Sequence, residues 1–250
     1  MLAPAPDARK PAPVICSVKH MKLNKTIYAV MIILLLCSPQ RLVAQQPEYF
    51  PLAEGTTWIY NGTVKWTEAE DKIKKRRITW EMEVAKRLRN GPFEIAVMKG
   101  HPGDLCWYEP GKRPSSYLIV WRDNKYYEIR IYNDFDKLTS DEAYLSTKTD
   151  FNTLFLVVPL KKDMEFANDP NIQRDDRMYA WVVEDEQRGN LSHVAGVLKR
   201  RFTKYTLMYR TNPDHQIVEF VPSVGITHYI YQHHGTVSEV DVRLTAFRKK

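Results

Sequence analysis

Large apolar and polar residues alternate along much of the chain after residue 49. The clearest stretch is 78–85, where every second residue from Ile78 to Val84 is large and apolar, and Glu81 and Glu83 stand between them. Successive side chains of a β-strand point to opposite faces of the sheet. The alternation therefore predicts a strand with one buried and one solvated face.

Two segments have the pattern of β-hairpins. In residues 117–132 an apolar run is followed by Arg-Asp-Asn-Lys and then by a second, alternating stretch. Asp and Asn tolerate positive φ, which tight hairpin turns require. Near the end of the chain, residues 226–231 are apolar and aromatic, His234 and Gly235 supply a turn, and residues 239–244 alternate again. We therefore expect a hairpin in each place.

The rest of the chain continues the same pattern. Further strands are expected at 57–66, 93–98, 154–160, 178–184 and 198–209, with turns at 90–91, 188–190 and 212–214. Only residues 138–147 have a helical pattern, with Ser140 as the expected cap. Many short antiparallel strands predict an all-β fold, either a curved sheet or a barrel-like sandwich, with at most one or two short helices. No linker divides residues 45–250, so we expect a single β-rich domain there.

The N-terminal region has the layout of a secretory signal peptide over residues 21–44. Lys22 and Lys25 precede an apolar run at 27–37, and Pro39 follows it before expected cleavage after Ala44. The run is shorter than the ~20 residues that span a bilayer. Residues 1–20 are treated as an upstream extension without structural role. An uncleaved anchor and lipid attachment at Cys37 are the alternatives; the expected location is the periplasm or the medium.

Removing the leader changes the charge argument. The whole chain has a formal net charge of +7, but six of its 37 basic residues and one of its 30 acidic residues lie in 1–44. The remainder carries 31 basic and 29 acidic residues, a net charge of only +2. Nucleic acid is therefore not an expected partner. Cys106 is the one cysteine after residue 44, so no internal disulfide is expected, and no transmembrane segment is predicted there.

Two segments resemble a known group of proteins. Residues 49–60, Tyr-Phe-Pro-Leu-Ala-Glu-Gly-Thr-Thr-Trp-Ile-Tyr, resemble the opening Pro-Leu-x-x-Gly-x-x-Trp-x-Tyr of exported bacterial proteins of uncharacterised function. Residues 222–229, Pro-Ser-Val-Gly-Ile-Thr-His-Tyr, resemble the late Pro-x-Val-Gly element of the same proteins, with Ser223 where they often have Gly. The resemblance implies an exported, β-rich fold and a C-terminal hairpin. It does not imply any catalytic residue in this chain.

The chain is rich in aromatic residues, which make up 12% of its composition. Aromatic side chains in strands form cores and cross-strand pairs. They also line concave binding sites, as curved sheets can form. On the second interpretation, the candidate ligand-binding residues are Trp58, Tyr60, Trp80, Trp121, Tyr229 and Tyr231.

Other candidate sites rest on polar clusters. His228, His233 and His234 form the densest group of metal-capable side chains, but strand geometry points His233 away from the other two, so solvated histidines are expected and no metal or cofactor is predicted. Cys106 with His101 could form a thiol and base pair, although a buried, idle cysteine is the stronger interpretation. Glu81 and Glu83 share a strand face and could act as a catalytic pair of carboxylates, but carboxylates on the outer face of a strand are usually solvated. The chain has no phosphate-binding loop, no Gly-x-Ser-x-Gly element and no His-Glu-x-x-His sequence.

These observations support three hypotheses. The first is an exported, non-enzymatic binding module for an apolar or glycan ligand of the cell envelope. The second is an exported hydrolase, in which side chains such as His228, Asp104 or Glu109 would converge in a cleft. The third is an envelope assembly component that presents a sheet edge or the basic run 74–77 to an unidentified protein partner.

Overall fold

The computed structural model describes residues 49–68, 72–172 and 174–250. The expected extension and signal peptide, 1–20 and 21–44, lie outside these residues. Within the described ranges there are twelve strands, two short α-helices and one 3₁₀ turn. The strands are β1 (Thr57–Thr67), β2 (Ile73–Asn90), β3 (Phe93–Lys99), β4 (Ser116–Arg122), β5 (Lys125–Arg130), β6 (Leu154–Val157), β7 (Glu165–Phe166), β8 (Trp181–Asn190), β9 (Arg201–Arg210), β10 (Asp214–Val221), β11 (Gly225–His233) and β12 (Ser238–Arg248). The helices are α1 (Phe135–Ser140) and α2 (Glu142–Lys148), and the 3₁₀ turn is Pro102–Leu105.

All twelve strands belong to one sheet with the order β6-β5-β4-β3-β2-β1-β12-β11-β10-β9-β8-β7. Every neighbouring pair is antiparallel. The first and last strands therefore pair at the centre of the sheet, and β6 and β7 form its two ends. The ends contact each other without ladder hydrogen bonds, which makes the sheet a nearly closed barrel. The predicted all-β, curved antiparallel fold is confirmed.

The alternation in β2 places its apolar residues in the interior of the barrel. Trp80, Met82 and Val84 are buried, whereas Thr79 and Glu81 are exposed. The hairpin expected at 117–132 joins β4 to β5 through Asp123 and Asn124, with φ values of 49° and 61°. The C-terminal hairpin joins β11 to β12. Both hairpins were predicted correctly from the local pattern.

A second apolar cluster lies on the outside of the barrel. The helices α1 and α2 contribute Leu138 and Leu145, which pack with side chains from the outer faces of β3, β4 and β5. Because β3 and β4 are covered on both faces, adjacent residues such as Leu118 and Ile119 are both buried. This double coverage explains the continuous apolar run of β4, where a half-buried strand would alternate.

Several expected boundaries are wrong. The turn expected at 188–190 lies inside β8, where Gly189 stays in register with Phe202 of β9. The strand expected from 178 begins only at Trp181, and the one expected from 198 begins at Arg201. β6 ends at Val157, before Pro159, which has no N–H for a ladder. Strands β7 and β10 were not predicted.

The single helix expected at 138–147 is in fact two helices. The chain is extended at Asp141, with φ −105° and ψ 102°, and this residue separates α1 from α2. The carboxylate of Asp141 accepts a hydrogen bond from the backbone N–H of Tyr144 at 2.9 Å, so Asp141 rather than Ser140 is the N-cap. A carboxylate at this position also interacts favourably with the helix dipole.

Candidate ligand-binding cavity

A cavity of about 680 Å³ lies between the two ends of the sheet. On one side it is bounded by Leu154 and Phe155 of β6, and on the other by Trp181 of β8 and by Ala167, which follows β7. The volume is within the range of ~300–1,000 Å³ typical of small-molecule sites. Its lining includes nine aromatic residues, which are Trp107, Tyr132, Phe151, Phe155, Tyr179, Trp181, Tyr209, Tyr229 and Tyr231.

Inward-facing positions of β6, β8, β9 and β11 supply five of the nine aromatic lining residues. Tyr229 and Tyr231 are two residues apart on β11 and therefore point to the same side of the sheet. Trp181 of β8 is in register with Tyr209 of β9, and their ring centroids are 5.4 Å apart. Two further lining residues remain in contact with solvent, Trp107 at 49% and Tyr132 at 79% exposure. The site therefore offers ring surfaces both inside the barrel and on exposed lining residues.

Three lining residues have a left-handed backbone conformation, which residues other than glycine rarely adopt. Trp107, Ala167 and Tyr179 have φ values of 52°, 58° and 60°. For bulky residues such as Trp and Tyr the left-handed region is strained, by roughly 1–3 kcal/mol each. The surrounding structure must stabilise these conformations, which fixes the directions in which the Trp107 and Tyr179 rings project.

His101 and Glu128 form a polar pair in the lining. The backbone N–H of Gly103 donates a hydrogen bond to Nδ1 of His101 at 3.0 Å, so in the neutral ring the proton is on Nε2. Nε2 is buried without a hydrogen-bond partner, and its nearest carboxylate oxygen is Oε2 of Glu128 at 3.6 Å. The rings of Tyr117 and Tyr229 pack edge-on against the imidazole. His101 is therefore held rigidly with one donor unused.

Asp214 organises a second polar group. Its Oδ1 accepts hydrogen bonds from the hydroxyl of Tyr231 at 2.6 Å and from Nδ1 of His233 at 2.8 Å. Burial alone would raise the pKa of Asp214, but these hydrogen bonds outweigh it and lower the pKa below its ordinary value. Burial and the Asp214 carboxylate raise the pKa of Tyr231, so its hydroxyl remains a donor.

Cys106 does not have the properties of a catalytic thiol. Burial raises the pKa of its thiol to about 12, so the thiol is protonated at neutral pH. Its sulfur lies 3.4 Å from the hydroxyl of Tyr229. His101, the base considered for this pair, has Nδ1 occupied by Gly103. Cys106 is half-buried in the cavity lining, and its protonated thiol is not poised for nucleophilic attack.

The six candidate ligand-binding residues lie in three different settings. Tyr229 and Tyr231 line the cavity. Trp58, Tyr60 and Trp80 are buried outside its lining, and their polar atoms donate hydrogen bonds to backbone carbonyls. Trp121 lies at the end of β4, is 37% exposed and stacks on Tyr126. The structure therefore brings together only two of the six around the cavity.

The candidate histidines take separate partners. His228 Nε2 lies 2.8 Å from Asp241, His233 bonds to Asp214, and His234 Nε2 lies 3.4 Å from Nδ1 of His215. Within the described residues no group of three or more His, Cys, Asp and Glu side chains could hold a metal ion.

The carboxylates considered for catalysis are also dispersed. Asp104 accepts hydrogen bonds from the backbone N–H and the hydroxyl of Ser115, and Glu109 is exposed. No hydrogen bond in the described parts of the chain joins any two of His228, Asp104 and Glu109. Glu81 and Glu83 lie on the outward-facing side of β2, away from the cavity lining.

The basic run 74–77 lies at the start of β2, where it pairs with the end of β1. All four side chains are exposed, and Lys74 forms an ion pair with Glu68 at 3.5 Å. Arg76 donates a hydrogen bond to the hydroxyl of Tyr108 at 3.2 Å.

None of the helices in the described ranges is long and apolar enough to cross a membrane.

No protein-family model matches the chain, and no curated protein matches it. Two solved structures are similar over 81% of this chain. One is a protein of Bacteroides fragilis proposed to be exported, with a YmcC-like fold, at 12% identity, a TM-score of 0.38 and 100% coverage of that chain. The other is a proposed lipoprotein of Parabacteroides distasonis, at 10% identity, a TM-score of 0.36 and 99% coverage.

Proposed function

We propose that this protein is an exported, non-enzymatic module that binds a small apolar or glycan ligand in the cavity between the ends of its sheet. The observation that carries the proposal is the cavity itself, with its volume of about 680 Å³ and its nine aromatic lining residues. A barrel filled by side chains would have no such space. Aromatic surface together with a few polar groups is the usual composition of a binding site.

The chemistry of the lining favours binding over catalysis. The Cys106 thiol is protonated, because burial raises its pKa to about 12. The side chains considered for hydrolysis are engaged elsewhere, Asp104 by Ser115 and His228 by Asp241. The proposed export to the periplasm or medium rests on the signal-peptide pattern of residues 21–44.

The proposal is tested by native mass spectrometry of the protein purified from the envelope fraction of its own host. We expect a retained small molecule on the wild-type protein. The variant Tyr132→Ala should retain several-fold less of it, because this ring lines the cavity yet is 79% exposed, and its removal should leave the fold intact.

Trp121→Ala is the matched control, since Trp121 is a partly exposed ring outside the cavity lining. It should retain the same molecule in the same amount as wild type. A protein that carries no small molecule, or one that loses it equally in both variants, would contradict the proposed function.

A further inference from the structure

We infer that the ligand of this cavity presents a sugar ring, whose hydroxyl groups donate to Glu128 while His101 holds that carboxylate in place. This inference rests on the proposed binding function and names the ligand class. It starts from the 3.6 Å approach of His101 Nε2 to Glu128 Oε2 in the cavity lining.

Glu128 is a half-buried acceptor to which no described residue donates a hydrogen bond. Its side chain is 21% exposed, and no hydrogen bond to its carboxylate occurs within the described residues. The backbone of Glu128 is fixed, since its N–H donates to the carbonyl of Thr153 at 2.8 Å. A ligand that covers this carboxylate must replace its contact with water, so a ligand that supplies O–H donors binds more favourably there than one that supplies none.

His101 acts as a positioning residue for Glu128. Its residue exposure is 9%, its Nδ1 is occupied by Gly103, and its Nε2 proton has no other acceptor. A shift of a few tenths of an ångström would turn the 3.6 Å approach into a hydrogen bond from Nε2–H to Oε2. The other carboxylate oxygen of Glu128 then remains for the ligand.

The polar groups around the cavity disfavour a purely apolar ligand. Its lining holds four carboxylates and two cations, Arg130 and Lys148. An apolar ligand would cover Glu128 and the His101 donor without satisfying either, whereas a cationic ligand would be attracted by the carboxylates and is therefore tested as the rival of a sugar. A neutral polyhydroxylated ring both donates and accepts hydrogen bonds, and its C–H face can lie on Trp181 or Tyr209.

The test uses isothermal titration of the purified protein with four named saccharides, which are chitotetraose, cellotetraose, maltotetraose and isomaltotetraose. Palmitate serves as the apolar probe and spermine as the cationic probe. We expect saturable binding of at least one tetrasaccharide. The variant Glu128→Gln should weaken it ten-fold or more, because a hydrogen bond to a charged acceptor is lost.

Glu94→Gln is the matched control, because Glu94 has a similar exposure of 26% but pairs with Arg87 outside the cavity. It should bind the saccharide like wild type. In nitrogen NMR spectra, the His101 Nε2–H resonance should shift on saccharide binding in wild type and not in Glu128→Gln. A merely structural role of His101 would give no such dependence.

The outcomes separate the two proposals. Binding of palmitate or spermine without any tetrasaccharide would overturn the sugar inference and leave the binding function standing. Saccharide binding that is equally strong in Glu128→Gln would overturn the roles of Glu128 and His101. No binding by any probe, together with a bare protein in native mass spectrometry, would overturn both proposals.

Discussion

The indole N–H of Trp58 donates a hydrogen bond to the carbonyl oxygen of Val224 at 2.5 Å, although 166 residues separate them. Tyr60 repeats the relationship two residues later, with its hydroxyl donating to the carbonyl of Ile226 at 3.0 Å. The two sequence motifs at 49–60 and 222–229 thus contact each other directly. A Cβ on Gly225, where φ is +96°, would lie only 2.9 Å from the ring of Phe50.

Trp58→Phe should therefore destabilise the fold more than loss of ring area alone would. The variant keeps an aromatic ring but leaves the buried carbonyl of Val224 without its donor, which costs about 1–3 kcal/mol. Urea unfolding monitored by circular dichroism measures the change. Trp121→Phe, on a partly exposed ring, should change the free energy of unfolding by less than about 0.5 kcal/mol. Equal effects of the two substitutions would contradict this account.

Gly62→Ala should be among the most damaging small substitutions in the chain. A Cβ at Gly62 would lie 1.9 Å from the carbonyl oxygen of Asp241 and 2.7 Å from Cα of Val242, so β1 and β12 would have to separate. We expect a loss of about 3 kcal/mol or more in the free energy of unfolding. Both strands would move, because the obstructing atoms belong to the backbone.

Gly189→Ala provides the control for that substitution. Gly189 also lies within a strand, but no atom lies within 4 Å of the position that a Cβ would take there. Alanine is preferred over glycine within strands on entropic grounds, by roughly 0.5–1 kcal/mol. Thermal unfolding of this variant should occur at or slightly above the wild-type temperature. If Gly189→Ala unfolded at a temperature as low as that of Gly62→Ala, the close approach of the β12 backbone could not be the cause of the destabilisation in Gly62→Ala.

Acid should weaken the fold through Glu219. Its interaction with His228, together with the Lys204 ammonium at 2.8 Å, lowers the pKa of the Glu219 carboxyl from 4.5 to about 2. Because the folded-state pKa is the lower one, this group stabilises the fold above about pH 4.5 and loses that contribution as the pH falls toward 2.

The contribution is on the order of 2 kcal/mol after solvent screening. It is measured as the free energy of urea unfolding at a series of pH values between about 7 and 1.5, which bracket the two pKa values. Glu219→Gln should be less stable than wild type at neutral pH and should show a shallower decline in acid. A variant curve parallel to that of wild type would exclude Glu219 as a source of the acid sensitivity.

Cys106 should resist alkylation in the native protein. A thiol whose pKa is raised to about 12 has roughly a thousand-fold less thiolate at pH 8 than an ordinary cysteine. Iodoacetamide labelling, followed by mass spectrometry of the peptide that contains Cys106, measures the rate. In guanidinium chloride the same peptide should label rapidly. Rapid labelling of the native protein would mean that the thiol is accessible and ionised.

The sequence predicted the fold where local pattern was sufficient. The alternation in β2 and the Asp123–Asn124 turn are local features, and both were interpreted correctly. β10 was not predicted, because the adjacent residues Ile217 and Val218 are both apolar although only Val218 faces the interior. The sequence of this strand therefore does not show a period of two. Residues 188–190 have the composition of a turn, but pairing with β9 keeps them extended.

The cavity was harder to predict, for a geometric reason. Tyr60 and Tyr229 both face the interior of the barrel, and a period of two distinguishes inward from outward but not depth along the strand. Tyr60 lies where the interior is filled, and Tyr229 lines the open space. Trp181 and Tyr209 became part of the site only because the two ends of the sheet approach each other, which no local pattern specifies.

Because the first strand pairs with the last, the sheet cannot be completed until the whole of β12 has been synthesised. Residues from Thr57 to Trp66 find their partners in β12 only after the chain has been made as far as Arg248. A product that stops before Ser238 would leave open edges on β1 and β11, and such edges template aggregation. Shortened chains would thus remain recognisable to chaperones and proteases, whereas the finished barrel hides both edges at its centre.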